Sequence, residues 1–279
     1  MPTLSDLLRC PTCKTALRLD AQGHCHNCGV AIKTHRGLLD FLPEGAHSAL
    51  EGRSRPSWEA WSDRLAALER WRQARQGAPA AGQADQERLQ RLVAFAQISS
   101  GALLDIGCGS ASLRQHLPEE VSYFGIEPAP GEHLKQPENV VRGVAEQQPF
   151  ADKSFAHATM LSVFDYFVEP LQALKEARRV LQPEGCLSMI ITVRHEAVAR
   201  AFHSEGPLSP LQSLRREVIQ AIGLQPALRL SLDQLIPKRK AHVSYFSEES
   251  LLALVQRQFQ VEERVYDQPG VLFLRLRKA

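Results

Sequence analysis

Between residues 100 and 193 short apolar runs recur, separated by polar stretches rich in turn residues. The runs Ala102–Ile106, Tyr123–Ile126, Val140–Val141, His157–Leu161 and Leu187–Val193 are too short for helices and are bounded by turn residues, which predicts strands. Pro170–Val180 differs, because its apolar residues recur at helical spacing and Pro183 and Gly185 close it. Further helices are expected over Arg88–Ile98, from about Ser112, and over Glu248–Arg257. Strands and helices that alternate in this way imply a parallel sheet covered on both faces. The end of the chain breaks the rule. Phe259–Val265 and Val271–Leu276 flank Asp267-Gln268-Pro269-Gly270, the pattern of an antiparallel hairpin. The expected fold class is α/β, a doubly wound sheet ending in that hairpin.

Upstream, Trp58, Trp61, Leu65, Leu68 and Trp71 stand at roughly helical spacing within Pro56–Arg75, and Gly77–Gly82 reads as a linker. Arg194–Phe246 is far longer than an ordinary connection. The chain is therefore divided into an N-terminal module over 1–42, a helical lid and linker over 43–86, and a main domain over 87–279. Within the main domain a cap is expected near 194–246. A length of 279 residues has room for this arrangement.

Composition narrows the class without naming a function. The chain is 44% hydrophobic and 23% charged, with no apolar run able to span a bilayer. Its first residues lack a signal-peptide pattern, so a cytoplasmic protein is expected, with no membrane partner. A net charge of +2 is too mild to argue for nucleic acid by itself.

The cysteines change the picture. Cys10-Pro11-Thr12-Cys13 and Cys25-His26-Asn27-Cys28 are two C-x-x-C knuckles. Two such turns can present four thiolates to one tetrahedral zinc, leaving no open position, so Cys10, Cys13, Cys25 and Cys28 are expected to hold a structural zinc. About 40 residues make a small core, and metal can supply the missing folding energy. Two redox pairs are the competing reading. His24, His26 and His35 are expected to be solvated rather than ligands. The module is read as a zinc ribbon.

Asp105-Ile106-Gly107-Cys108-Gly109 joins an apolar strand to the next element. Glycines here let the backbone turn sharply and approach a ligand without a Cβ in the way. A nicotinamide-binding loop would look similar, with a third glycine where Ser112 stands. The segment resembles motif I of class I S-adenosylmethionine-dependent methyltransferases, and later segments match in order. Tyr123-Phe124-Gly125-Ile126-Glu127 resembles the second strand, Gly143-Val144-Ala145-Glu146 the loop after the third, and Arg179–Gly185 the entry to the fifth, with Glu184 where glycine is more usual. The resemblance implies a Rossmann-like class I methyltransferase sheet that binds S-adenosylmethionine. Asp105, Gly107 and Gly109 would line the methionine part and Glu127 would hold the ribose. Ala145 and Glu146 would border the adenine, and Leu161 would close the site from the fourth strand. Cys108 and Cys186 are read as small packed residues.

The acceptor is expected at the carboxyl end of that fourth strand. Leu161–Phe167 lacks the Asn/Asp-Pro-Pro-aromatic tetrad of adenine amino-methyltransferases. Asp165 and His242 are the candidate bases, and Tyr166 could hold an acceptor. The cap carries eight basic residues (Arg194, Arg200, Arg215, Arg216, Arg229, Lys238, Arg239, Lys240) against four acidic ones, giving +4. A ribbon ahead of a class I domain resembles bacterial rRNA guanine-N1 methyltransferases, whose ribbon helps to grip RNA. The low net charge and the few basic residues near the ribbon favour a small-molecule or metabolite acceptor instead. RNA is the runner-up partner. A non-catalytic ribbon subunit is a third reading, opposed by the intact Asp105, Gly107, Gly109 and Glu127.

Overall fold

A computed structural model describes residues 2–46, 79–129, 134, 138–193 and 246–278, with the backbone alone for 79–85. The tryptophans of the expected lid, nearly all of the expected cap, and His242 lie outside the described residues.

Among the described residues nine strands form one sheet: β1 (Lys33–His35), β2 (Leu38–Asp40), β3 (Gly101–Ile106), β4 (Val121–Glu127), β5 (Val140–Arg142), β6 (Phe155–Leu161), β7 (Leu181–Thr192), β8 (Gln260–Gln268) and β9 (Val271–Arg277). Their order across the sheet is β1-β2-β5-β4-β3-β6-β7-β9-β8. The five strands β5-β4-β3-β6-β7 are parallel, and β9 and β8 add antiparallel to one edge. The chain winds outward through β3, β4 and β5, then crosses back to β6 on the other side of β3. That reversal opens a crevice beyond the carboxyl ends of β3 and β6, where α/β sheets bind ligands.

Both faces are buried, as the near-continuous apolar strands require. Along β3, Ala102, Leu104 and Ile106 join one buried cluster while Leu103 joins the other. The first cluster contains Leu174, Ala177 and Val180 of the helix Pro170–Val180, together with Leu251 and Val255 of the helix Glu248–Val255. The second is covered by Leu92 and Ala96 of the helix Pro79–Ala96.

Three elements depart from the sequence expectation. The helix expected from Arg88 begins at Pro79, inside the stretch read as linker. Proline is tolerated in a first helical turn because its missing N–H has no partner there anyway. The helix expected after Ser112 is a 3-10 segment of five residues, Ser112–His116, with Pro118 close behind it. β7 starts at Leu181 rather than Leu187, with a register shift between its pairing at Leu181 and at Cys186. Inside that irregularity Glu184 stands at φ +61, a left-handed conformation that explains why glycine suits this position.

The N-terminal module contributes strands to the main sheet. β1 and β2 form a hairpin turned by Arg36 at φ +51 and Gly37 at φ +81, the geometry of a two-residue primed turn. β2 then pairs parallel with β5, Asp40 opposite Arg142. Leu7, Leu8, Cys10, Leu17, Cys25, Ile32 and Phe41 belong to the same buried cluster as Phe124, Ile126 and Phe150.

Candidate active site

At the switch point lies a cleft of about 370 Å³, lined by residues from the ends of β3, β4, β5 and β6. Asp105, Gly107, Gly109, Glu127, Ala145, Glu146 and Leu161, seven positions spread over 57 residues of sequence, all line it.

Gly107 and Gly109 stand at φ +75 and +56. A Cβ on Gly107 would lie 2.9 Å from a methyl of Val163, so this position has neither the conformation nor the space for a side chain. Val163 itself follows Ser162 at φ +55, a strained turn leaving β6.

Two buried carboxylates form the floor. Thr159 and Tyr123 donate hydroxyls to Asp105 at 2.8 Å and 2.9 Å. Burial nevertheless pushes the Asp105 carboxyl up to about 6, and the neighbouring Glu127 charge adds to the rise. Glu127 accepts the amides of Gly109 at 2.8 Å and Ala129 at 3.1 Å, one on each oxygen. Each oxygen keeps a further lone pair, so the carboxylate can still accept two adjacent hydroxyls. Burial pushes the Cys108 thiol well above its ordinary value, so it stays protonated and packs under Gly125, where a Cβ would lie 2.8 Å from its sulfur.

Glu146 lines the cleft, but one of its oxygens accepts the amides of Val168 at 2.8 Å and Glu169 at 3.2 Å, just ahead of the helix Pro170–Val180. It ties the loop after β5 to the loop after β6, a task the sequence did not reveal. Asp165 lies in the 3-10 segment Phe164–Tyr166, 6% exposed, and does not line the cleft, whereas Tyr166 and Phe167 do. Thr159, the nearer partner of Asp105, was also missed by sequence reasoning. The register Asp105↔Thr159 brings it there, and no local signal could have announced it.

In the N-terminal module the four cysteine sulfurs lie within 4.8 Å of one another, with Cys10 to Cys28 at 3.6 Å and Cys13 to Cys25 at 3.9 Å. A tetrahedron of sulfurs about 2.3 Å from a zinc has edges of about 3.8 Å. The two knuckles repeat each other. The Cys10 amide donates to Thr15 and that of Lys14 to Cys10, at 2.9 and 3.0 Å; Cys25 donates to Val30 and Gly29 to Cys25, both at 2.8 Å. The donor set fits a structural zinc.

Residues 104–189 match the family described as "Methyltransferase domain". No curated protein matches the chain. Among solved structures, a protein from Pyrococcus horikoshii is similar at 17% identity and a TM-score of 0.50, over 70% of this chain and 90% of that one. A methyltransferase from Thermotoga maritima, described as a possible histamine N-methyltransferase, has 20% identity and a TM-score of 0.49, over 80% of this chain and 100% of that one. Residues 104–189 carry a methyltransferase domain, on the sheet expected from the sequence. The cleft fits S-adenosylmethionine: Gly107, without room for a Cβ, faces it, and so does an acid with two oxygens able to take hydroxyls.

Proposed function

We propose that the protein transfers the methyl group of S-adenosylmethionine to an uncharged or cationic small molecule bound beside the carboxyl end of β6. The observation that carries this is the lining of the cleft. Among the described residues it presents Asp105, Glu127 and Glu146 and no lysine, arginine or histidine. A phosphate-rich acceptor such as RNA is held by cations. The Arg9 guanidinium of the module donates to the carbonyls of Asp6 and Leu8, and Arg142 is buried against Asp40. Val163, Tyr166 and Phe167 give the acceptor side an apolar and aromatic wall.

When bound, the cofactor supplies a methyl group already activated on a sulfonium sulfur. The chain's own work is alignment and exclusion of water. Glu127 holds the ribose hydroxyls, and the backbone at Gly107 and Gly109 admits the ligand closely. Asp105 sets negative charge beneath the cationic methionine end. Glu146 acts through the Val168 and Glu169 amides, holding the adenine loop against the acceptor loop. No proton transfer is assigned to Asp165, which lies outside the lining. We also propose that Cys10, Cys13, Cys25 and Cys28 hold a structural zinc.

Among the described residues no helix is long and apolar enough to cross a membrane. The deciding experiment offers methyl-labelled cofactor to the protein with total RNA and, separately, with a small-molecule extract. Label entering only the extract supports the proposal. Label entering RNA overturns it in favour of an RNA methyltransferase.

A further inference from the structure

Beyond the buried cluster they share, the N-terminal module and the methyltransferase sheet are hydrogen-bonded at two points, and both lead to the adenosine half of the cleft. At the first, the Arg9 amide donates to the Pro149 carbonyl at 2.8 Å and the Ala151 amide to the Leu7 carbonyl at 2.8 Å, an antiparallel bridge centred on Leu8 and Phe150. Arg9 is the neighbour of Cys10 in the chain. Pro149 follows closely on Ala145 and Glu146, which wall the cleft, and Gln148 donates its side-chain amide to Ala145 at 3.0 Å, closing that loop on itself.

At the second point the Phe41 amide donates to the Arg142 carbonyl at 2.8 Å. The Arg142 guanidinium donates to Asp40 at 2.8 Å and to the Pro128 carbonyl at 3.1 Å. Pro128 lines the cleft and directly follows Glu127, and the amide of Gly143, another lining residue, donates to the Glu127 carbonyl at 3.3 Å. One guanidinium therefore bridges the module and the peptide that carries the ribose acid. The side chains of Arg142 and Asp40 are 9% and 4% exposed, so losing either partner strands a buried charge. An open groove of about 730 Å³ runs beside these contacts, lined by Arg9, Cys10 and Phe41 of the module and by the loop from Glu146 to Asp152.

We propose that the module is a clamp on the adenosine half of the cofactor site, with Asp40 and Arg142 as its positioning residues. Cofactor affinity then depends on the module being folded around its metal. The inference rests on the methyltransferase and zinc readings above. It follows from geometry: the adenine loop hangs from the residue before a metal ligand, and the ribose acid's loop hangs from β2.

The test uses the full-length protein and measures dissociation constants for S-adenosylmethionine and for 5′-methylthioadenosine by calorimetry, with zinc content and far-ultraviolet circular dichroism. Asp40→Ala should keep its zinc and its spectrum yet bind both ligands about tenfold more weakly, an ordinary coupling between sites. Asp40→Glu should recover most of that loss. Removing zinc with a chelator should weaken both ligands at least as much, and returning zinc should restore them. Wild-type affinity in folded Asp40→Ala, or in zinc-free protein with an unchanged spectrum, overturns the inference. If Asp40→Ala does not fold, Arg142→Lys decides, because it keeps the charge opposite Asp40 but cannot also hold Pro128; unchanged affinity there is fatal. Zinc-loaded wild-type protein that binds neither ligand overturns the methyltransferase reading itself, and the clamp with it.

Discussion

Thr159 reaches across the β3–β6 ladder to donate its hydroxyl to Asp105 at 2.8 Å, supporting a carboxylate that burial would otherwise keep protonated. Tyr123 supports the other oxygen from β4 at 2.9 Å. Even so, burial holds this carboxyl up at about 6 against an ordinary 3.8. Between those two values the folded protein keeps a proton that the unfolded chain releases. Stability contributed by this group therefore falls as pH rises through that window, and the cost above it is about 3 kcal/mol. Asp105→Asn has no such titration. Its melting temperature without cofactor should gain on wild type between pH 4 and pH 7 while its cofactor binding weakens. A difference between the two melting curves that does not change with pH would sink this account.

The glycine loop predicts a two-part cost. Gly107→Ala meets both the φ of +75 and the Val163 methyl at 2.9 Å. The conformational part alone is about 1–2 kcal/mol, and the displaced loop should lose most cofactor affinity. Adding Val163→Ala removes both methyl contacts but leaves the residue 163 Cβ at 3.1 Å and the strain, so the double variant should recover only part of the stability. Thermal melts of the two variants check this, and full recovery would show that the backbone conformation costs nothing.

In the proposed site Glu127 does two things at once, accepting the Gly109 and Ala129 amides while leaving lone pairs for the ribose. Glu127→Gln turns one acceptor into a donor facing an amide, an unmet buried group that costs about 1–3 kcal/mol. Cofactor affinity should fall at least tenfold by calorimetry, with the zinc content unchanged. Equal affinity would remove Glu127 from the site.

The pseudo-repeat of the two knuckles makes a prediction of the opposite sign. Lys14 at φ +61 occupies in the first knuckle the place that Gly29 at φ +71 occupies in the second. Lys14→Gly removes a left-handed cost of about 1–2 kcal/mol at an entropic cost of about 0.5–1 kcal/mol. The variant should unfold at a higher temperature, or hold its zinc against a higher chelator concentration. A loss of stability would mean that the Lys14 side chain has a role of its own.

Much of the site is legible in the chain because its pieces are local. Gly107 and Gly109 sit within one turn, Glu127 ends one strand, and the cysteine pairs are each one knuckle long. Short-range sterics and ligand geometry dictate such pieces wherever the fold places them, so the sequence by itself determined the class of sheet, the positions that line the cleft and the four thiols. Other features depend on register between distant segments. The support of Asp105 by Thr159 comes from strand pairing, the hold of Glu146 on Val168 and Glu169 from two loops meeting, and the buried pair of Asp40 and Arg142 from β2 settling on β5. An isolated Asp40 or Thr159 reads as an ordinary polar residue, because its partner lies more than 50 positions away. Only the tertiary structure decided that the cysteine module is part of the sheet. A free strand edge at β5 and the apolar face of the module could each be satisfied by the other, and no local pattern states which surfaces will meet.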